Sequence, residues 1–520
     1  MADVFTAEGP AVLDGVSDDR LECDIAVIGS GMAGATTAFA LRDSGARVLI
    51  IERGDFLPRE AANWDPAAVF GEKRYKNAED WYEGKTGTAF LPGVHYWVGG
   101  NTKVYGACLP RFREQDFGEI RHPDGVSPAW PFNYADIEPF YGAAEQIYGV
   151  HGDGAGDPSA PWRSAEPPYP ALDHEPDLAA LATSLDEQNL HPFVMPMGVD
   201  IRDGGRCIRC RTCDGYPCRL GAKNDAEVCA IRPALESPNT RLLTRAYVSR
   251  LQTTANGKRV TEALVSRAGR ELRVRAKRFV VAGGAANSAA LLLRSASSAH
   301  PDGVGNSSRL VGTNYMVHDS TFFTAVDPRR RNNVFFQKTL GLNDWYLPGS
   351  DSRWPLGNVQ MLGKLQGTMF KAARPRMPLP LLDYVAHHSV DLYLTTEDVP
   401  KPENRIRLER DGRLYVDWTP NNLGSHAELV RRVTQVMRRA GYPFVFTERM
   451  GIETNSHMCG TAVMGEDPAR SVIDPTCRAH DLDNLWLLDS SGFPSSAALN
   501  PALTIAANVL RVLATGQLQQ

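Results

Sequence analysis

Gly29, Gly31 and Gly34 stand at the spacing at which backbone can cradle a pyrophosphate, and Glu52 follows about where a carboxylate would accept from a ribose hydroxyl. The first glycine permits a tight turn, the second lets backbone approach the pyrophosphate, and the third lets a helix pack closely on its strand. Met32 and Ala33 between them, and Arg53 after Glu52, complete the expected contacts. This chemistry needs a strand, a helix and a second strand in register. Residues 25–28 form an apolar run suited to a strand buried on both faces, Ala35, Ala38, Phe39 and Arg42 mark a helix that Gly45 ends, and residues 48–51 supply the second strand. The pyrophosphate would sit on the helix N-terminus. The motif leaves NAD and FAD open.

Two further groups carry reactive side chains. Cys207, Cys210, Cys213 and Cys218, with Cys229 nearby, crowd one region, whereas Cys23, Cys108, Cys459 and Cys477 are scattered. Four close thiols raise the question of zinc or an iron-sulfur cluster. The spacing does not suit a zinc site, which takes two pairs across a longer loop, and Arg206, Arg209, Arg211 and Arg219 make the loop rich in cations. Free thiols or a loop-stapling disulfide are the favoured reading, and no metal is assigned. The second group lies in residues 454–512, where a histidine and an asparagine have apolar and glycine-rich neighbours.

At 520 residues the chain is expected to form two domains, or one with large insertions. Lys plus Arg number 56 against 61 Asp plus Glu, a net charge of −5, with 43% hydrophobic and 22% charged residues. No basic block or basic helix stands out, which argues against a nucleic-acid or anionic-membrane surface and for a neutral or small substrate. The expected location is cytoplasmic, because the start has no cationic-then-apolar segment and no apolar run is long enough to span a bilayer. Residues 1–19 are expected to form a poorly ordered tail.

Along the chain, residues 96–112 (YWVGGNTKVYGACLPRF) make a second glycine loop. A β-rich passage ends in RFVVAGGAANSAALLLRS, where Val280 and Val281 finish a buried strand, Gly283 and Gly284 turn it, and residues 289–293 begin a helix. Residues 315–450 differ in texture. FFQKTLGLNDWYLP, VDLYLTTEDVP and NRIRLERDGRLYVDW alternate polar and apolar residues as half-buried antiparallel strands do, and a helix is expected over residues 429–440.

With GSGMAG and Glu52, VGGNTKVYG, AGGAANSAALLLRS, SHMCGTAVMG and NLWLLDSSGFPSSAALNPALTIAANVL in this order, the sequence resembles the glucose-methanol-choline (GMC) oxidoreductases, whose members bind FAD. The resemblance spans nearly the whole chain. It implies an α/β, Rossmann-like FAD-binding domain from residues 20–120, 206–314 and 455–520, and an α+β substrate domain with an antiparallel sheet from 121–205 and 315–454. It places the family's active-site histidine at His457 and its partner at Asn500. Asp489 matches the acidic residue near the flavin, Val248 a backbone contact to adenine, and Asn500 with Pro501 the turn over the flavin ring. Gly99, Gly100 and Asn101 are expected to approach the cofactor. Lys103 stands three residues after the glycine pair, where some members attach FAD through histidine, so noncovalent FAD is expected.

The chemistry of an alcohol agrees with these matches. Removing a hydride from a carbinol carbon requires the hydroxyl proton to leave, and neutral imidazole accepts it, making His457 the general base. Asn500 would hydrogen-bond the developing alkoxide, and hydride would pass to flavin N5. Within the family the motifs look most similar to bacterial pyranose-oxidase-like enzymes, including glycoside 3-oxidases. That implies oxidation of a sugar or glycoside secondary hydroxyl, at carbon 3, with dioxygen or another acceptor reoxidising the flavin. Gln337, Lys338 and Thr339 are candidate sugar contacts, with an exposed hairpin as the competing reading. The alternatives are a primary hydroxymethyl group of an aminoglycoside-type sugar, a simple alcohol such as choline, or an electron-transfer module built on the cysteine cluster. Oligomeric state is left open.

Overall fold

The computed structural model describes residues 4–5, 10–15 and 18–519. Its first sheet grows from the expected unit. Strand β1 (Arg20–Ile28) is followed by helix α1 (Met32–Leu41) and strand β2 (Val48–Ile51). Beyond β2 lies β3 (Thr240–Leu243), and on the other side of β1 come β6 (Arg270–Val281), β5 (Val260–Arg267) and β4 (Tyr247–Thr253). The pairs β1–β2, β2–β3 and β1–β6 are parallel, and β4–β5–β6 is an antiparallel meander. A strand from near the end of the chain, Leu485–Leu487, runs parallel beside β6.

The register brings the ends of the central strands level. Ile28 lies opposite both Ile51 and Val281. The backbone then continues the alignment past the strands, with Gly29 donating to Ile51, Ala282 to Ile28 and Glu52 to Leu243, at 2.8–2.9 Å. The loops after three parallel strands therefore converge at one carboxyl edge, the place where open α/β sheets bind ligands.

The second sheet is wholly antiparallel. Its order is Phe444–Arg449, β7 (Asp319–Val326), Ser389–Thr396, Asn358–Met361, Leu340–Leu342 and Pro192–Val194. Helix Leu423–Arg439, expected over 429–440, covers one face with Leu429, Val433, Val436 and Met437. Strand Ser389–Thr396 is buried at every residue rather than half-buried. It lies inside the sheet, with the helix on one side and the cavity described below on the other. An alternating pattern thus does not mean a solvent face here.

Packing redraws the expected division in three places. Helix Tyr134–Tyr148, assigned to the substrate side, buries its residues in the first core, and its Tyr141 and Tyr148 hydroxyls bond Thr504 and Thr36 at 2.7 and 2.8 Å. Its charges are met there by Arg111, which donates to Glu138 and Glu145. The hairpin Arg405–Leu408 and Leu414–Asp417 also joins the first core, through pairing of Tyr415 with Tyr82. The described part of the 1–19 tail is anchored, with Leu13 buried and its amide donating to Leu242; residues 1–3, 6–9 and 16–17 lie outside the described residues. Among the described residues no helix is long and apolar enough to cross a membrane.

Candidate active site

A cavity of about 610 Å³ opens between the two sheets. One wall is the carboxyl edge of the first sheet. Gly29 takes a φ of +102° and its Hα side faces the Ala282 carbonyl, where a Cβ would stand 2.4 Å from the oxygen; a Cβ on Gly34 would stand 2.0 Å from the Gly29 carbonyl. These two glycines are thus fixed by packing. Gly31 differs, because a Cβ there would meet nothing in the chain within 4 Å and would project into the cavity it lines. It caps α1, and no side chain satisfies the helix's first amides. A glycine open on one side and an uncapped helix start suit a dinucleotide's diphosphate, and the adjoining carboxylate of Glu52 suits its ribose.

Glu52 closes β2 as expected. It is buried, accepts from the Ser30 amide and hydroxyl at 3.0 and 2.7 Å and from the Gly54 amide at 2.8 Å, and burial raises its pKa. Arg53 lines the cavity between the rings of Tyr96 and Tyr247 and pairs with Glu79. Val248 lines it beside Tyr247. Asp489 also lines it, accepting from the Gly284 amide at 2.8 Å and from the Ser288 hydroxyl, and so fixes the start of helix Ala285–Arg294.

The second glycine loop folds against the first. A Cβ on Gly100 would stand 3.0 Å from the Gly31 Cα, while Gly99, at φ +99°, donates to Ser30 Oγ at 3.1 Å. Gly100 and Asn101 line the cavity, as do Met32 and Ala33, whereas Gly34 and Gly99 serve packing behind it. Lys103 does not line the cavity. It is buried and holds Asp225 at 2.9 Å and Glu227, tying the loop to residues 225–227. His95 lines the cavity with its Nδ1 buried and without a partner, and burial depresses its pKa to about 4.

The opposite wall is made of side chains. His457 and Asn500 both reach the cavity, and Pro501 follows at the start of helix Ala502–Leu513. Burial, and then the neighbouring His318, depress the His457 pKa to about 3, so its imidazole is neutral. The Asn500 amide oxygen is buried without a partner, and so is the Gln360 amide oxygen, which lines the same space. Tyr393, 6.3 Å from His457 ring to ring, shares a hydrogen bond with the Ser320 hydroxyl at 2.9 Å. Exposed Glu453 and Thr454 also line the cavity.

Of the three expected sugar contacts only Lys338 lines the cavity. The segment is a buried 3-10 turn rather than an exposed hairpin. Gln337 is spent on Asn332 and the Leu362 carbonyl, and the Thr339 hydroxyl on His174. Burial alone would lower the Lys338 pKa, but the Asp214 carboxylate against it pushes it up instead. Asp214 belongs to the cysteine-rich loop, and with Gly215 it is that loop's contribution to the cavity. The loop's own cysteines are free thiols. Among the described residues no group of three or more His, Cys, Asp or Glu is placed to hold a metal ion.

Sequence reasoning missed Asp214, Gln360, Tyr393 and Glu453: Asp214 stands inside the cysteine cluster and Tyr393 inside a strand pattern, but neither pattern marks these residues for the cavity, and Gln360 and Glu453 lie in segments with no motif. It also missed His318, which touches His457 from the start of β7. The one signal for that residue is a histidine just ahead of a strand, which is too common to interpret alone.

Comparison with known proteins agrees with this geometry. The GMC oxidoreductase family's N-terminal and C-terminal profiles match residues 184–320 and 400–508, and an FAD dependent oxidoreductase profile matches residues 24–98. The chain is 33% identical to 6'''-hydroxyparomomycin C oxidase of Streptomyces lividus, over 97% of this chain and 93% of that protein. It is also 33% identical to paromamine 6'-oxidase of Streptomyces fradiae, with the same coverage. The fold is similar to that of pyridoxine 4-oxidase from Mesorbium loti, with a TM-score of 0.64 at 20% identity, covering 94% of this chain and 97% of that one.

Proposed function

The chain belongs to the GMC oxidoreductase family, and from its likeness to two aminoglycoside oxidases we propose that it oxidises a primary hydroxymethyl group of an aminoglycoside-type sugar to an aldehyde. It is an FAD-dependent oxidoreductase acting on CH-OH groups. FAD, when bound, supplies the hydride acceptor, taking up the carbinol hydrogen with its electron pair. The residues present suit it: the open Gly31, the uncapped start of α1, Glu52, Arg53, Val248, Gly100 and Asn101 lie along one wall.

The chain's own part is the proton and the pose. His457 would take the hydroxyl proton, since a neutral ring has a lone pair to offer. Asn500 lines the same cavity, and its amide N–H would donate to the substrate oxygen as charge gathers there, leaving its unpaired Oδ1 to accept from another substrate donor. The observation that carries this reading is the meeting of a neutral imidazole and an unspent amide in one cavity, opposite a wall of glycine backbone. Attachment of FAD is proposed to be noncovalent, because the position three residues after the Gly99–Gly100 pair holds Lys103 rather than histidine, and Lys103 is buried in ion pairs with Asp225 and Glu227 away from the cavity lining.

The choice of a primary hydroxyl over carbon 3 rests on the two relatives, one named for oxidation at position 6' of paromamine. Gln360 and Glu453 add hydrogen-bond acceptors to the cavity, which suits hydroxyl and ammonium donors. Anaerobic mixing with amino sugars bearing or lacking the 6-hydroxyl, simple glycosides and choline, followed by loss of oxidised-flavin absorbance and mass analysis of product, tests the proposal. Bleaching by the 6-hydroxy sugar alone, with an aldehyde product, is expected. Equal bleaching by the 6-deoxy sugar with a ketone product would move the reaction to a secondary ring hydroxyl, and bleaching by choline alone would end the sugar reading.

A further inference from the structure

His318 and His457 are brought face to face by the backbone. Met316 and Cys459 form a two-way antiparallel bridge, with amide-to-carbonyl distances of 3.0 and 2.9 Å. In such pairing the residues two further along one strand and two back along the other also stand opposite each other on the same face. Those residues are His318 and His457. Their Nδ1 atoms lie 3.2 Å apart, with the rings edge to face.

The hydrogens on this pair follow from what lies behind it. His318 Nε2 is 3.3 Å from the Ser496 carbonyl, which can only accept, so Nε2 carries the hydrogen. His318 is 1% exposed and, with its pKa depressed by burial to about 4, neutral; its Nδ1 therefore holds a lone pair. His457 Nδ1 must then donate, which leaves His457 Nε2 bare. The Ser496 carbonyl thus selects the tautomer of His318, and His318 selects that of His457.

We infer that His318 is a positioning residue, holding His457 in the Nδ1-protonated tautomer so that Nε2 faces the cavity as proton acceptor. This rests on the reading of His457 as general base. When Nε2 takes the hydroxyl proton, the ring becomes a cation and the Nδ1 hydrogen bond to His318 becomes charge-assisted and stronger. No proton leaves the pair in this step; the hydroxyl loses one and His457 gains one. Without His318 the ring is free to carry its hydrogen on Nε2, where it cannot act as base.

The test compares His318→Asn with His318→Leu in the flavin-loaded enzyme. These side chains have nearly the same shape, but only Asn keeps an acceptor near the Nδ1 position. His318→Leu is expected to slow substrate-driven flavin reduction at saturating substrate by roughly tenfold to a hundredfold with KM little changed, and His318→Asn to restore most of the rate. Equal rates in the two variants, or a loss confined to KM, would overturn the inference. His457→Gln is the separating control. Native rate in that variant would sink the general-base reading itself, whereas a slow His457→Gln beside a native His318→Leu would sink only the role of His318. Should His318→Leu not fold, the nitrogen chemical shifts of labelled histidine in the native protein decide. A signal with protonated Nδ1 and bare Nε2 that vanishes in His457→Gln supports the inference, and the opposite tautomer overturns it.

Discussion

On one side of the cavity the contacts are backbone, and Gly29, Gly31, Gly100 and the first amides of α1 lie within a few residues of two short motifs. On the other side they are side chains, and Asp214, Lys338, Gln360, Tyr393, His457 and Asn500 come from six separate segments. The first wall is shaped for a diphosphate and a ribose, which are the same in every bound dinucleotide. The second is shaped for a substrate hydroxyl and its surroundings, which vary while the fold stays fixed. A backbone site needs glycine at set positions, whereas a side-chain site can draw its groups from wherever the topology brings strands together.

Two glycines separate these demands within the first wall. Gly34→Val would drive a side chain into the Gly29 carbonyl, 2.0 Å from where its Cβ must sit. The expected outcome is loss of folded flavoprotein, seen as a collapsed thermal transition and no bound flavin. In Gly31→Val the Cβ meets nothing in the chain within 4 Å. The variant is expected to unfold like the native apoprotein yet bind FAD at least about tenfold more weakly, because the side chain enters the diphosphate's place. Equal flavin affinity in Gly31→Val would show that the cofactor lies elsewhere.

Changes on the second wall should spare flavin and alter turnover. Asn500→Leu keeps the shape and removes the amide, and about a hundredfold slower flavin reduction is expected at unchanged flavin content. Stopped-flow reduction measures it, and a native rate would remove Asn500 from the chemistry. Gln360→Leu removes an acceptor that has no partner in the chain. A KM increase of about tenfold with little change in kcat is expected, and an unchanged KM would place the substrate away from Gln360.

The smallest effect is on stability against pH. His457 and His318 have folded-state pKa values of about 3 and about 4, below the ordinary 6.5, both chiefly through burial. These two groups therefore bind fewer protons in the folded chain than in the unfolded one below about pH 6.5, and their own contribution to stability falls as pH drops from there toward 3. Thermal melts of the apoprotein against pH should therefore show His318→Asn losing less stability than the native chain as pH falls from about 6.5 to 4. An unchanged slope would mean that the pair is protonated in the folded state.

The difference between the walls also explains what the sequence discloses. The unit from β1 to β2, the return at Val280 and Val281, and the helix after Gly284 all announce themselves, since apolar runs and glycines constrain local structure directly. His457 and Asn500 were legible through the resemblance of their flanking motifs. Gln337 and Thr339 were misplaced because a polar run reads as a contact surface, whereas here it satisfies buried partners. Helix Tyr134–Tyr148 was assigned to the wrong core, since its attachment depends on Thr36 and Thr504, far away in the chain. His318 was invisible because its role comes from the bridge between Met316 and Cys459, which is a property of the fold.

The central claim, that a side chain of the second wall removes the proton while the first wall holds the flavin, is tested most directly by anaerobic stopped-flow mixing of the 6-hydroxy amino sugar with native protein and His457→Gln at matched flavin content. A rate of flavin reduction lower by about 10²–10⁴ in the variant, with native flavin affinity, is the predicted result. Reduction at the native rate would contradict the account, since the proton would then leave by a group other than His457.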